Sequence, residues 1–243
     1  MTDAARRQAI ILAGGKGTRL APFNTVLPKP LMPLGEVSVL EVVLRQLDRQ
    51  GFEEAILATG HLSEIIEAFC RSLEPKLRLS LRVYREETPL GTIGPLARIP
   101  DLEPDFLLLN GDILTTLPFA EVLSQRRERK GLATLAMGER EVTLEFGVMS
   151  VDARGCITRF SEKPTFKNLV SLGVYAFTRD ILSWIPTRDR FDLPDLVQLL
   201  VEGNRKVDTY RYDGYWKDIG RLEDYEAAKE DFIRDPGKFL LGN

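Results

Sequence analysis

Cysteine is scarce, long apolar runs are missing and neither sign of charge dominates, and each of these shortages removes a class of protein. The two cysteines, Cys70 and Cys156, stand far apart without metal-type spacing. That excludes a disulfide scaffold, fits a reducing compartment, and leads us to expect two small buried hydrophobes. No segment reaches the ~18 to 20 continuous apolar residues of a membrane span. Arg6-Arg7 precedes an apolar stretch, but it breaks at once into glycines and Lys16 and reads as a first strand rather than an export signal. With 33 Lys and Arg against 36 Asp and Glu, interspersed, the formal net charge is −3. No global basic field argues for nucleic acid, so any positive site is local. The expectation is a cytoplasmic protein that binds neither nucleic acid nor membrane. At 44% hydrophobic and 28% charged residues, the 243-residue chain has the composition of a globular protein with a sizeable core.

What is present alternates between two periodicities. Residues 8 to 13 read as a strand, 38 to 50 as a helix that Ser38 caps and Gly51 ends, and 54 to 59 as a second strand. Residues 61 to 73 return to helical spacing, and Leu77, Leu79, Leu81 and Val83 then alternate with polar residues as a strand with one dry face. A short helix over 90 to 98, an apolar strand over 105 to 109 and a helix over 118 to 130 follow. Strands separated by helices predict an α/β fold, a mostly parallel twisted sheet flanked by helices. The second half is less regular, with strands at 132 to 137, 146 to 151, 156 to 161, 170 to 178 and 206 to 212 and helices at 193 to 202 and 221 to 233. With no linker or repeat, residues 1 to 243 read as one domain: a regular α/β half to about residue 130 and, over about 131 to 243, a small, irregular, β-containing half that faces the substrate.

The most informative motif is Leu12-Ala13-Gly14-Gly15-Lys16-Gly17-Thr18-Arg19-Leu20, which empties the first strand into three glycines. Bare backbone N–H groups there let a polyphosphate approach the main chain, and Lys16, Arg19 and Lys29 of Pro28-Lys29-Pro30-Leu31 add positive charge. Neither the dinucleotide fingerprint nor the Walker A spacing fits. Asn110-Gly111-Asp112 ends the most apolar strand, where ligands of such sheets collect, and Asp112 is well sited to hold Mg²⁺. Asp218, in Trp216-Lys217-Asp218-Ile219-Gly220, supplies a second carboxylate. In Glu162-Lys163-Pro164 the proline biases Lys163 toward extended backbone, with its ammonium free for a phosphate and Glu162 for hydroxyls. Gly147 and Gly173 fall inside apolar strands, a position that costs stability unless a ligand or another backbone comes close.

The series G-G-x-G-T-R-L, P-K-P-L, P-L-G-T-x-G-P-L, N-G-D, E-K-P, G-V-Y and W-x-D-I-G occurs in order from Gly14 to Gly220. It resembles the sugar-1-phosphate nucleotidyltransferase family over nearly the whole chain. The run from Glu86 to Leu96 is most similar to mannose-1-phosphate guanylyltransferases and related hexose- or heptose-1-phosphate guanylyltransferases. The resemblance implies a Rossmann-like, GT-A-like fold. It implies a reaction in which a sugar 1-phosphate displaces pyrophosphate from a nucleoside triphosphate, GTP by this likeness with UTP, CTP or dTTP as the alternative, and with Mg²⁺ as cofactor. The attacking phosphate is already ionised, so catalysis is positioning and charge stabilisation, and the lone histidine, His61, reads as a capping or surface residue.

Residue by residue, the resemblance puts Leu12, Ala13 and Gly14 against the base and ribose, and Gly15, Lys16, Gly17, Thr18 and Arg19 around the triphosphate. Arg19 and Lys29 would neutralise the departing pyrophosphate. Glu87, Pro89, Gly91, Thr92, Asn110 and Gly111 would complete the nucleotide site, and Asp112 and Asp218 would bind Mg²⁺. Lys163 would orient the attacking phosphate, while Gly147, Glu162, Gly173 and Trp216 would surround the sugar. Relatives often carry Asn-Ala-Gly where this chain has Ser171-Leu172-Gly173, which leaves the sugar open. No hexapeptide repeats follow Gly220, so an acetyltransferase activity is not expected and any homodimer would be made by the catalytic domain. Two rivals stand beside this reading. A nucleotide-sugar sensor would have lost a metal acid or a phosphate lysine. A dinucleotide-dependent oxidoreductase needs a third glycine and an acid after the second strand, which here ends Ala58-Thr59-Gly60.

Overall fold

A computed structural model describes residues 6–15 and 25–240. Strand β1 (Gln8–Ala13) is followed by the short antiparallel pair β2 (Pro33–Leu34) and β3 (Val37–Ser38), then by α1 (Val39–Arg49), β4 (Glu54–Thr59), α2 (Ser63–Leu73) and β5 (Ser80–Arg85). Next come β6 (Asp105–Asn110), β7 (Ile113–Thr115), α3 (Phe119–Arg129) and β8 (Ala133–Thr143). The ribbon β9 (Val148–Val151) and β10 (Ile157–Ser161) leads to β11 (Thr165–Thr178), α4 (Leu193–Glu202), β12 (Val207–Arg211), β13 (Trp216–Asp218), α5 (Leu222–Arg234) and α6 (Pro236–Leu240).

Seven strands form one sheet in the order β12-β8-β11-β6-β1-β4-β5. The contacts of β1 with β4 and β6, of β4 with β5 and of β12 with β8 are parallel, and β11 alone runs antiparallel to both its neighbours. The period-2 pleat explains the two cores. Ala9, Ile11 and Ala13 of β1 pack with α1, α2 and α3, while Ile10 packs on the other face with Leu96, Leu193, Leu196 and Leu200. A third cluster joins α5 and α6 to β2 and α1 through Leu34, Val39, Tyr225, Phe232 and Phe239. Among the described residues no helix is long and apolar enough to cross a membrane.

Helix α1 starts as its sequence requires, with Ser38 Oγ accepting from the Glu41 N–H at 3.1 Å. Other local expectations need correction. The strand expected from Leu77 begins at Ser80, because Asp48 Oδ1 accepts from the N–H groups of Arg78 and Leu79 at 2.8 and 2.9 Å and takes them from any ladder. The helix expected over 90 to 98 is a 3-10 turn over Gly94–Arg98. Strands β8 and β11 run well past the expected 132 to 137 and 170 to 178 as a paired arm. Gly147 lies just before β9 rather than inside a strand. Cys70 is buried, but Cys156 is exposed in the turn between β9 and β10, where its N–H donates to Asp152 Oδ1 at 2.9 Å.

Candidate active site

A cleft of about 850 Å³ opens at the carboxyl ends of β1, β4 and β6. Leu12, Ala13, Gly14 and Gly15 leave β1 along one part of it, with Asn110 and Asp112 beside them at the end of β6. Gly111 ties the two strand ends together, its N–H donating to the Leu12 carbonyl at 3.0 Å. Lys29 reaches the same place from a short 3-10 turn, and its ammonium pairs with Asp112 Oδ2 in a largely buried contact. Glu87, Pro89, Gly91 and Thr92 form another part of the wall. Lys16, Gly17, Thr18 and Arg19, expected around a triphosphate, lie outside the described residues.

Residues that the motifs did not assign to the cleft also line it, among them four with titratable side chains: His61, Glu86, Arg190 and Asp192. His61 was expected to be a cap or surface residue; it is exposed, but on the cleft wall, and the helix below it starts behind Leu62 with no side-chain cap. Glu86 is half-buried, with Oε1 3.2 Å from where a Cβ on Gly14 would stand. Burial pushes its carboxyl above the ordinary range, and the N–H of Leu90, donating to Oε2 at 3.4 Å, offsets this only in part. For Asp192, partial burial pulls upward, but the Thr92 N–H and Arg190 outweigh it and hold the carboxyl below the usual range. A signal existed for Glu86, which stands in the same acidic pair as Glu87; for Arg190 and Asp192, a hundred residues away, there was none.

The residues expected at the sugar and its phosphate are placed less uniformly. Gly173 sits in β11 with φ +71°, and a Cβ there would be 2.8 Å from Asn110 Nδ2, so glycine lets this strand press on a cleft residue. Trp216 bonds from Nε1 to the Leu172 carbonyl at 2.6 Å and lies under the Arg140 guanidinium at 4.7 Å. Asp218 stands opposite Ile113 in the β13–β7 ladder, and the next N–H, of Ile219, donates to the Asp112 carbonyl at 2.9 Å. The two expected metal acids are therefore neighbours through the backbone, with Asp112 on the cleft and Asp218 exposed.

Gly147, Glu162 and Lys163 belong to the exposed ribbon of β9 and β10 and do not line the cleft. Lys163 is not extended as its proline neighbour suggested; its φ is +42°, where the chain turns from β10 into β11, and its ammonium stands 3.4 Å from Glu145 Oε2. Gly147 is covered by the Phe160 ring, with Glu162 Oε2 3.1 Å from where its Cβ would stand. At the end of β4, buried Thr59 shares a hydrogen bond with Ser63 at 3.0 Å, and no acid stands where a dinucleotide ribose would need one.

The donor chemistry of Asp112 and Asp218 fits Mg²⁺, a hard cation that takes one or two carboxylates and completes its shell with substrate phosphates and water. Among the described residues no cluster of three His, Cys, Asp or Glu forms a cage made by the protein alone.

The family model described as "Nucleotidyl transferase" matches residues 8–234. The chain is 31% identical over 243 residues to a UTP–glucose-1-phosphate uridylyltransferase of Synechocystis, covering 91% of this chain and 62% of that protein. It is 31% identical over 225 residues to the mannose-1-phosphate guanylyltransferase catalytic subunit beta of Danio rerio, covering 90% and 62%. The chain thus spans 62% of the length of these curated relatives. Among solved structures, HddC from Yersinia pseudotuberculosis superposes with a TM-score of 0.72 at 23% identity, over 93% of this chain and 99% of that one. HddC has also been solved complexed with GMP-PN. That likeness shows the fold: a mostly parallel sheet flanked by helices, as the periodicities predict.

Proposed function

This chain belongs to the nucleotidyl transferase family, and on that premise we propose that it couples GTP to a mannose- or heptose-type sugar 1-phosphate. The products are a nucleoside diphosphate sugar and pyrophosphate. A phosphate oxygen of the sugar 1-phosphate attacks the α-phosphorus in line. The bond from that phosphorus to the α,β-bridging oxygen breaks, and pyrophosphate leaves with the electron pair. No proton has to be removed from the nucleophile, so the protein's task is to align two anions and neutralise the charge that develops.

The observation that carries this reading is the meeting of Lys29 and Asp112 beside Gly14 and Gly15, at the carboxyl ends of β1 and β6. Bare backbone at Gly15 admits the phosphates, and Gly14, beside Glu86, faces the base and ribose. Lys29, with Arg19 of the glycine motif, neutralises the departing pyrophosphate, and Lys16 lies along the triphosphate. Asp112 and Asp218 would hold Mg²⁺, which when bound supplies positive charge to the α-phosphate oxygens. With phosphates in the cleft, Lys29 has anionic oxygens to engage in place of Asp112. Lys163, Glu162 and Gly147 do not line the cleft, but we assign them to its sugar 1-phosphate: Lys163 would orient the attacking phosphate, and Glu162, Gly147, Gly173 and Trp216 would contact the sugar. Guanine is supported by Glu86, because an ionised carboxylate can accept from both the ring N1–H and the exocyclic amine of guanine. Uracil and thymine would present one N–H flanked by two carbonyls that repel a carboxylate.

Asp112→Ala and Lys163→Ala should each lower turnover by about two to three orders of magnitude, the scale of removing one preorganised charge contact. Pyrophosphate release from GTP and mannose 1-phosphate reads this directly. Wild-type rates in both variants would exclude the mechanism.

A further inference from the structure

One wall of the cleft is made by two segments about a hundred residues apart, the turn Pro89-Leu90-Gly91-Thr92 and the stretch Arg190-Phe191-Asp192 that enters α4. They are laced together by main chain and side chain. The Phe191 N–H donates to the Leu90 carbonyl at 2.8 Å, and the Phe191 carbonyl accepts from Ile93 and Gly94 at 3.2 Å each. Asp192 Oδ1 accepts from the Thr92 N–H at 2.8 Å, and Thr92 Oγ1 accepts in return from the Leu193 N–H at 2.8 Å. Gly91 makes this approach possible: at φ +86° a Cβ would stand 2.5 Å from the Phe191 carbonyl oxygen and 2.8 Å from Asp192 Oδ1.

The second oxygen of Asp192 has a different partner. Oδ2 accepts from Arg190 Nε at 3.2 Å and stands 3.1 Å from Arg190 Nη2, and Arg190 is an exposed side chain that lines the cleft. An exposed arginine is otherwise free to sample many rotamers, and an anchor on a half-buried carboxylate restricts it. Each carboxylate oxygen therefore serves the cleft: one fixes the backbone of the Gly91-Thr92 turn, the other aims a cation. Asp192 also closes a capping box with Asp195 at the start of α4, its own N–H donating to Asp195 Oδ2 at 3.2 Å, but capping does not account for the contacts of its carboxylate with Thr92 and Arg190.

We propose that Asp192 is a positioning residue for the nucleotide, acting through the Gly91-Thr92 turn and through Arg190 rather than by touching the reacting atoms. The inference rests on the reading above that this cleft takes the triphosphate. Its consequence is a selective effect on one substrate. In the full chain, Asp192→Ala should raise the KM for GTP about tenfold, equivalent to ~1.4 kcal/mol. The KM for mannose 1-phosphate and kcat should stay within about twofold, because removing ground-state binding leaves turnover alone. Asp192→Asn keeps an oxygen that can accept from the Thr92 N–H and should recover most of the loss, and Arg190→Ala should raise the GTP KM without altering the melting temperature. An unchanged GTP KM in Asp192→Ala overturns the proposal. So does a parallel rise in both KM values with a fall in kcat, or a lowered melting temperature with unchanged kinetics, which would make Asp192 a helix cap only. Should Asp192→Ala not fold, the Asp192→Asn and Arg190→Ala kinetics decide. If the wild-type protein neither binds GTP nor releases pyrophosphate from it, the proposed function itself fails, a result separate from any ordering among variants.

Discussion

Glu86 is the residue at which folding and binding make opposite demands. Its carboxyl is raised by burial, so the folded protein favours the protonated form relative to the unfolded chain. That contribution to stability is fully present below the unfolded pKa and is lost as pH rises through the raised folded value, which means that the ionised group costs stability near neutral pH. Glu86→Gln should therefore melt at a higher temperature than the wild type at pH 7, with the difference shrinking as the pH falls through the carboxyl's range. The same variant should lose much of its affinity for GTP, because an amide offers a donor where guanine presents donors. Calorimetric melting across pH and GTP titration at pH 7 check the two halves, and equal melting and equal affinity would remove Glu86 from the base site. Glu87 was legible from its motif and does line the cleft. Glu86 also turns inward, with its N–H donating to the Thr59 carbonyl at 2.8 Å just beyond β5, an orientation that its place beside Glu87 hints at but does not fix.

Among the elements, the helices were the most legible, because a 3.6-residue apolar period and a capping serine are local signals. Ser38 illustrates this: Ser38→Ala removes the acceptor for the Glu41 N–H and should cost about 1 kcal/mol in denaturant unfolding, the usual value of such a cap. An unchanged midpoint would show that the cap is replaced by solvent. The strands were legible where one or both faces are buried, as in β1, β4 and β6. They were not legible in the outer halves of β8 and β11, where Val142 stands opposite Phe166 and both are exposed, so no alternation marks the pairing. Alternation alone overextends strand β5, because it takes no account of Asp48, whose carboxylate claims the N–H groups of Arg78 and Leu79.

At the scale of the molecule, a sheet with three parallel neighbours at its centre gathers the ends of β1, β4 and β6 on one side, which is where an α/β sheet offers its ligand site. That gathering was legible in advance, since the Gly14-Gly15 and Asn110-Gly111-Asp112 motifs each follow an apolar strand. The clasp between the Gly91-Thr92 turn and Asp192 was not, because it joins segments that share no motif and no period. The coupling of GTP to a sugar 1-phosphate is decided by a matrix of the four common nucleoside triphosphates against several sugar 1-phosphates. Pyrophosphate release with Mg²⁺ present is the readout. One molecule of pyrophosphate should appear per nucleoside diphosphate sugar formed, with GTP and a mannose- or heptose-type 1-phosphate turned over fastest. Release from another triphosphate in preference to GTP would contradict the role given to Glu86, and no release from any pair by the folded protein would contradict the reaction itself.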